Sequence, residues 1–230
     1  MSEFQSDYYS KHYWNIHYKG FLGTFTKGYH KKIERGRNSN DYYENVLEIG
    51  GGTGEHIEFV RHSFSIYTLL DISENPDGLR RIASDPRSLQ FQFVLADASS
   101  VPFEDSTFDR VVSTCVLHHV SNLERTLTEV RRVAKNGAAV DLYVPCDPGM
   151  MYRWIRHWTS HLKQKSSMEL SWTQVKYLWA LEHQNHYLGI MALIKGVFAT
   201  DNIRIARYPS PWLSWNFNLF SVVTVKLKKE

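Results

Sequence analysis

Apolar and polar positions change period several times along the chain, and each change predicts an element. From Asp7 to about Arg35, Tyr9, Tyr13, Ile16, Phe21 and Phe25 recur at near-helical spacing among Lys and His, which predicts one or two amphipathic helices. Gly36 to Asn40 reads as a linker. Apolar runs at Val46 to Ile49, Ser65 to Leu70, Phe91 to Leu95, Arg110 to Cys115 and Ala138 to Val144 then predict buried strands. Between them lie helical stretches: one from the glycine-rich turn to about His62, one over Asn75 to Ser84, and one before Ala138. Ser121 and Glu124 read as a capping box at the start of the last helix, and Asn136-Gly137 as its left-handed stop. Strands alternating with helices imply right-handed crossovers and a parallel, doubly wound sheet over about residues 41 to 145.

After Pro145 the chain turns to Met, Trp, His and Lys, with helical stretches over Gly149 to Lys165, Ser171 to Leu181 and Tyr187 to Phe198. Two strands follow, Ile203 to Ala206 and Asn218 to Lys226. A length of 230 residues suits one large domain with additions. The expected division is an N-terminal helical cap over 1–40 and a second unit over 41–230, in which 146–185 is a helical insertion of the kind that shapes a substrate pocket.

Net charge is only +3, which argues against a protein that coats nucleic acid. The two cysteines, Cys115 and Cys146, lie in apolar segments, and so few do not build a disulfide framework; a reducing cytoplasm fits best. No segment reaches the roughly 20 apolar residues that span a bilayer, and the first residues lack a signal-peptide core.

Chemistry concentrates at Glu48-Ile49-Gly50-Gly51-Gly52-Thr53-Gly54, directly after a predicted strand. Glycines there let the backbone turn sharply and approach a ligand, and helix amides just beyond offer donors to a carboxylate. A dinucleotide fingerprint counted from Gly50 ends on Glu55 instead of glycine, so a nicotinamide oxidoreductase is disfavoured. Glu48 also suits the amino group of a methionine moiety better than a pyrophosphate, which it would repel.

The E-x-G-x-G-x-G element resembles motif I of class I S-adenosylmethionine-dependent methyltransferases, type 11, of the ubiquinone-biosynthesis and sugar-methyltransferase kind. The resemblance covers roughly residues 45 to 144, including Val101-Pro102-Phe103 and Phe108-Asp109. It implies a Rossmann-like, mostly parallel seven-stranded sheet with an antiparallel last strand, N-terminal helices and a helical insertion before the last two strands. S-adenosylmethionine is the implied cofactor and S-adenosylhomocysteine its product. By position, Glu48, Gly50, Gly51, Gly52 and Gly54 would take the methionine end and Asp71 both ribose hydroxyls. Asp97 would lie near the adenine amino group, with Ile72, Ala98 and Cys115 beside the nucleoside. The competing reading of Asp71 and Asp97 is that they cap the elements that follow.

Cys115-Val116-Leu117-His118-His119-Val120 resembles the Leu-His-His-Val phrase of the same enzymes, in some of which the pair is catalytic and in others only lines the site. Methyl transfer from a sulfonium depends on alignment, and a base is needed when the acceptor is a hydroxyl or a protonated amine. His118 or His119 titrates in the right range for that base. The Pro-Pro-aromatic phrase of amino-methylating DNA enzymes is missing after the fourth strand, so a nucleobase acceptor is disfavoured. A small molecule is the expected acceptor, a sugar or secondary metabolite first. Lipid or protein methylation, and an inactive cofactor-binding partner subunit, are the alternatives.

Met151, Trp154, Ile155, Trp158 and Leu162 share one face of the 149–165 helix, while Arg153, Arg156, Lys163 and Lys165 lie elsewhere. Such a helix either packs as a lid or makes a peripheral membrane contact. His183 and His186, preceded by Glu182, are metal ligands only if helical; with no third ligand in view, no metal is expected and a hydrogen-bonding role ranks higher. Trp212, Trp215, Asn216 and Phe217 line either the acceptor pocket or the core. The stretch Arg207 to Asn216 is longer than a hairpin needs, and closes over the acceptor or contacts another subunit, so an oligomer is possible.

Overall fold

The structure, a computed structural model, describes residues 28–164 and 183–229 together with 173, 177, 180 and 181; for 159–164 only the backbone is described. The predicted N-terminal aromatics through Phe25, most of the helix predicted over Ser171 to Leu181, and Glu182 lie outside the described residues. Strands β1 (Tyr42–Ile49), β2 (Ser63–Asp71), β3 (Phe91–Leu95), β4 (Phe108–Ser113), β5 (Ala134–Pro145), β6 (Asn202–Tyr208) and β7 (Phe220–Lys226) form one sheet, ordered β3-β2-β1-β4-β5-β7-β6. Pairing is parallel except at β7, which runs antiparallel to β5 and β6. The described helices are α1 (Pro76–Ser84), α2 (Leu123–Val133), α3 (Met150–Gln164) and α4 (Tyr187–Val197).

Register lines up the ends of the first four strands. Ile49 pairs with Leu70 and Ser113, and Asp71 pairs with Leu95, so Gly50, Asp71 and Thr114 leave the sheet along one edge. The strand order reverses between β1 and β4, where an open α/β sheet leaves a crevice for ligands.

Both faces are covered, as a parallel sheet requires. Leu47, Ile49, Val111 and Val140 join Leu127 of α2 and Ile194 of α4 in the larger core. Ile57, Phe64 and Tyr67 pack on the other face, and further along it Tyr29 and Ile33, from the helical turn over 28–33, lie against Val112 and Tyr143.

Three local predictions are corrected. The helix expected after the glycine turn is a single 3-10 turn, His56–Phe59. Arg87 donates to the carbonyls of Ile57 (3.1 Å) and Val60 (3.2 Å), which a longer helix would need for its own ladder. The N-cap of α2 is Asn122 rather than Ser121; its side-chain oxygen accepts from the Arg125 amide at 3.1 Å. Gly137 does adopt φ +77°, but α2 ends at Val133 and Gly137 lies inside β5, where the register against β4 slips.

The sheet face under residues 28–37 carries a buried ionic network. Arg110 of β4, fully buried, donates to Glu34 Oε1 (2.6 Å), Asp141 Oδ2 (3.1 Å) and His62 Nε2 (2.6 Å). Arg37 also donates to Asp141 (2.5 Å), and His56 bonds Glu34 (2.9 Å) and His30 (2.9 Å). Burial and the neighbouring Arg110 hold His62 down, from 6.5 to about 4, because protonation of Nε2 would cost it the guanidinium bond. The unfolded chain therefore binds more protons between these values; this contribution is whole above pH 6.5 and lost as pH falls towards 4. We expect the urea midpoint to drop between pH 7 and 4.5 by an equivalent of up to ~3 kcal/mol, and His62→Gln to flatten that slope. A midpoint indifferent to pH in the wild type would contradict the assignment.

Candidate active site

At the end of β1 the chain reverses through Gly50, whose φ of +73° disfavours any side chain, and a Cβ there would come within 1.9 Å of Val116 Cγ2. Gly52 brings its backbone against the end of β2: its amide donates to Asp71 Oδ2 at 3.0 Å, and a Cβ would lie 2.7 Å from the same oxygen. The glycines thus leave Asp71 approachable over bare backbone. With only a 3-10 turn behind the loop, the donors available to a ligand are those of the loop itself and not of a long helix.

The predicted acids fall on one rim. Asp71 closes β2, with Oδ1 accepting from the Ser73 amide at 3.1 Å. Asp97, exposed just beyond β3, accepts from the Ser99 amide at 2.7 Å; this bond and one from the Ser99 side chain hold its carboxyl below the usual range, so it is ionised at neutral pH. Both acids therefore do shape the turns that follow them, and both keep lone pairs for a further donor. Ile72, at 68% exposure, offers an apolar surface beside them. Ala98 is buried in the larger core. Cys115 has φ +59° and packs near Tyr143.

Glu48 is buried beneath the turn. Oε2 accepts from the Tyr67 hydroxyl (2.9 Å) and Oε1 from Thr114 (3.2 Å). Burial raises its pKa against the opposing pull of His56, Tyr67, Thr114 and Arg110. Tyr67 and Thr114, neither prominent in the sequence, fix this acid between β2 and β4.

A histidine cluster forms where β4 ends. The rings of His118 and His119 lie 3.9 Å apart, and His183 stands edge-on to them at 4.7 and 5.5 Å. His183 Nδ1 is 2.6 Å from Asp147 Oδ2, which also accepts from Arg156 of α3 at 3.0 Å. Burial would raise the Asp147 pKa, but His183 and Arg156 outweigh it and hold it low. Val116, two residues before His118, touches Gly50, so the cluster adjoins the glycine turn. Sequence reading did not single out Asp147; the signal available was an acid directly after an apolar strand, in the position that marks Asp71 and Asp97.

His183 and His186 do not form the helical pair that metal binding would ask for: His183 precedes the helix and His186 is the extended N-cap of α4. No cluster of three metal-ligating side chains occurs among the described residues. Of the aromatics near the last strand, Trp215 stacks on Tyr187 with centroids 5.0 Å apart and Asn216 accepts from the first amide of α3 at 3.1 Å, while Trp212 is 84% exposed.

This fold and site define a Rossmann-like methyltransferase domain, and residues 47–140 match the family model described as a methyltransferase domain. Over that segment the chain is similar to class I, type 11 methyltransferases, whose cofactor is S-adenosylmethionine. The bare glycine loop, the two rim acids and exposed Ile72 fit that nucleotide: amides and hydroxyl-accepting carboxylates for its polar ends, an apolar surface for its base. Among relatives, a hybrid PKS-NRPS synthetase of Penicillium oxalicum is 38% identical over 104 residues, 41% of this chain. This chain spans about 2% of that relative's length. A demethylmenaquinone methyltransferase of Clavibacter sepedonicus is 27% identical over 183 residues, covering 67% of this chain and 73% of the relative. Among solved structures, 1,6-didemethyltoxoflavin-N1-methyltransferase of Burkholderia thailandensis, with bound S-adenosylhomocysteine, superposes with a TM-score of 0.60 at 13% identity over 98% of this chain and 88% of its own. At that identity the likeness establishes the fold.

Proposed function

We propose that this chain methylates a hydroxyl of a small molecule, a sugar or secondary metabolite, using a histidine of the cluster beyond β4 as general base. The observation that carries the reading is the cluster of His118, His119 and His183, one ring bonded to Asp147, adjoining the glycine turn through Val116. S-adenosylmethionine, when bound, supplies an electrophilic methyl carbon on a sulfonium. Gly50 to Gly54 receive its methionine end, and Glu48, a buried carboxyl bonded by the Tyr67 and Thr114 hydroxyls, gains a counter-charge from the amino group. Asp71 accepts the two ribose hydroxyls and Asp97 the adenine amino group, with Ile72 and the backbone at Ala98 against the ring. Cys115 borders the nucleoside. Paired imidazoles suit an acceptor that must lose a proton, which favours oxygen.

The test is transfer of a methyl label from S-adenosylmethionine into fractionated cell extract, with mass identification of the product. His118→Ala and His119→Ala are expected to lower transfer at least tenfold while S-adenosylhomocysteine affinity, read by calorimetry, stays within about threefold. Transfer at wild-type rate in both variants removes these two residues from the chemistry.

A second reading concerns α3. Trp154 and Trp158 are 67% and 50% exposed and stack with centroids 6.4 Å apart, on a helix whose exposed Arg153 lies nearby in sequence. Exposed tryptophans beside a cation suit the interface of an anionic membrane, which favours peripheral contact over a lid packed on the core. No described helix is long and apolar enough to cross a membrane. The protein is expected to sediment with phosphatidylserine vesicles, and Trp154→Ala with Trp158→Ala to abolish it; a wild type left in the supernatant rejects this contact.

A further inference from the structure

The segment over residues 184–187 is laced to two parts of the site at once. The amides of Gln184 and Asn185 both donate to the His118 carbonyl, at 2.9 and 3.1 Å. The Asn185 side chain donates to the carbonyls of Leu117 (3.1 Å) and Val120 (2.6 Å), and the Tyr187 amide to the Asp147 carbonyl (2.9 Å). Five hydrogen bonds therefore hold the four residues 184–187 against the end of β4 and the end of β5. Their shared effect is to set His183 between Asp147 and the paired rings of His118 and His119.

Such placement has a chemical meaning. A base must offer one ring nitrogen to the proton while the other is held, and a carboxylate on Nδ1 fixes the tautomer that leaves the Nε2 lone pair free. His183 meets that condition with Asp147 at 2.6 Å, both side chains being about nine-tenths buried. Arg156, on the same carboxylate oxygen, keeps Asp147 ionised and in position.

Building on the proposed O-methylation, we propose that His183 is the general base of the cluster, with Asp147 as its positioning residue and His118 and His119 as the walls of its slot. As the acceptor O–H bond breaks, the proton forms a bond to His183 Nε2 and the oxygen's electron pair goes to the methyl carbon. The carbon–sulfur pair leaves with sulfur, giving the neutral thioether, and the imidazolium is balanced by Asp147. Its proton then returns to water.

The experiment pairs activity with a readout that needs no acceptor. In methyl-label transfer to the accepting extract fraction, His183→Ala is expected to fall about 100-fold or more, with S-adenosylhomocysteine affinity unchanged. Added imidazole is expected to restore part of that loss, which a merely structural role would not allow. In nitrogen NMR of histidine-labelled protein, His183 is expected to carry its proton on Nδ1, and Asp147→Asn to shift the population towards Nε2–H. Wild-type transfer by His183→Ala, or a fall that imidazole does not relieve, overturns the base role and leaves O-methylation standing. A His183 tautomer insensitive to Asp147→Asn overturns the pairing. No label transfer by the wild-type protein itself rejects the O-methylation reading, and the base role with it.

Discussion

Replacing Arg110 by methionine is expected to destabilise the fold by about 3–5 kcal/mol, read as a fall in the urea midpoint at pH 7. Methionine fills a comparable volume, so the effect isolates charge from cavity formation. What it removes is the guanidinium that Glu34, Asp141 and His62 share, all three bonded to it within 3.1 Å. Burial would raise the Glu34 pKa, but Arg110 and His56 outweigh that and hold it far below the usual carboxylate range; without Arg110, much of that support goes. The same guanidinium is pushed up against its burial by the two acids. Breaking such a group leaves uncompensated charge in the interior, whereas exchanging all its members together for apolar residues need cost nothing. A loss below about 1 kcal/mol would mean that Arg37 and His56 already neutralise the acids.

Asp71→Ala is expected to weaken S-adenosylhomocysteine binding by about 100-fold, close to 3 kcal/mol, through loss of two charge-assisted hydrogen bonds. Gly52→Ala should approach that loss by another route, since its Cβ would come 2.7 Å from Asp71 Oδ2 and push the acid off the rim. The urea midpoint separates binding from folding: Asp71 is partly exposed and its carboxylate bonds two backbone amides, those of Gly52 and Ser73, so its removal should move stability little. Calorimetric affinity within threefold of wild type in Asp71→Ala would remove this acid from the ribose site.

Much of the candidate nucleotide site was legible because its signals are local. The turn from Gly50 to Gly54 follows an apolar run immediately, Asp71 directly follows a second and Asp97 lies one residue beyond a third, so their order along the sheet edge reads from the sequence. Alternation of apolar runs with polar stretches likewise carried the strand sequence, while the reversed last strand followed from the family resemblance. The local errors were of one kind. The helix after Gly54 was cut short by Arg87, and a capping box was read at Ser121 although Asn122, one residue on, reaches the free amide. Pattern reports propensity; it does not report which distant donor takes a carbonyl.

The sequence by itself carried the α/β class in its alternation of apolar and polar runs, and its resemblance to class I methyltransferases implied the cofactor and the candidate roles of the acids and the histidine pair. Only the tertiary structure brought Asp147 to His183, 36 positions away, and Arg110 to Glu34, 76 positions away. Those pairings depend on which strands lie adjacent and which side chains burial leaves without water. A charged residue in an apolar run, such as Arg110, carries no mark of its partner until the sheet and the segment above it close around it.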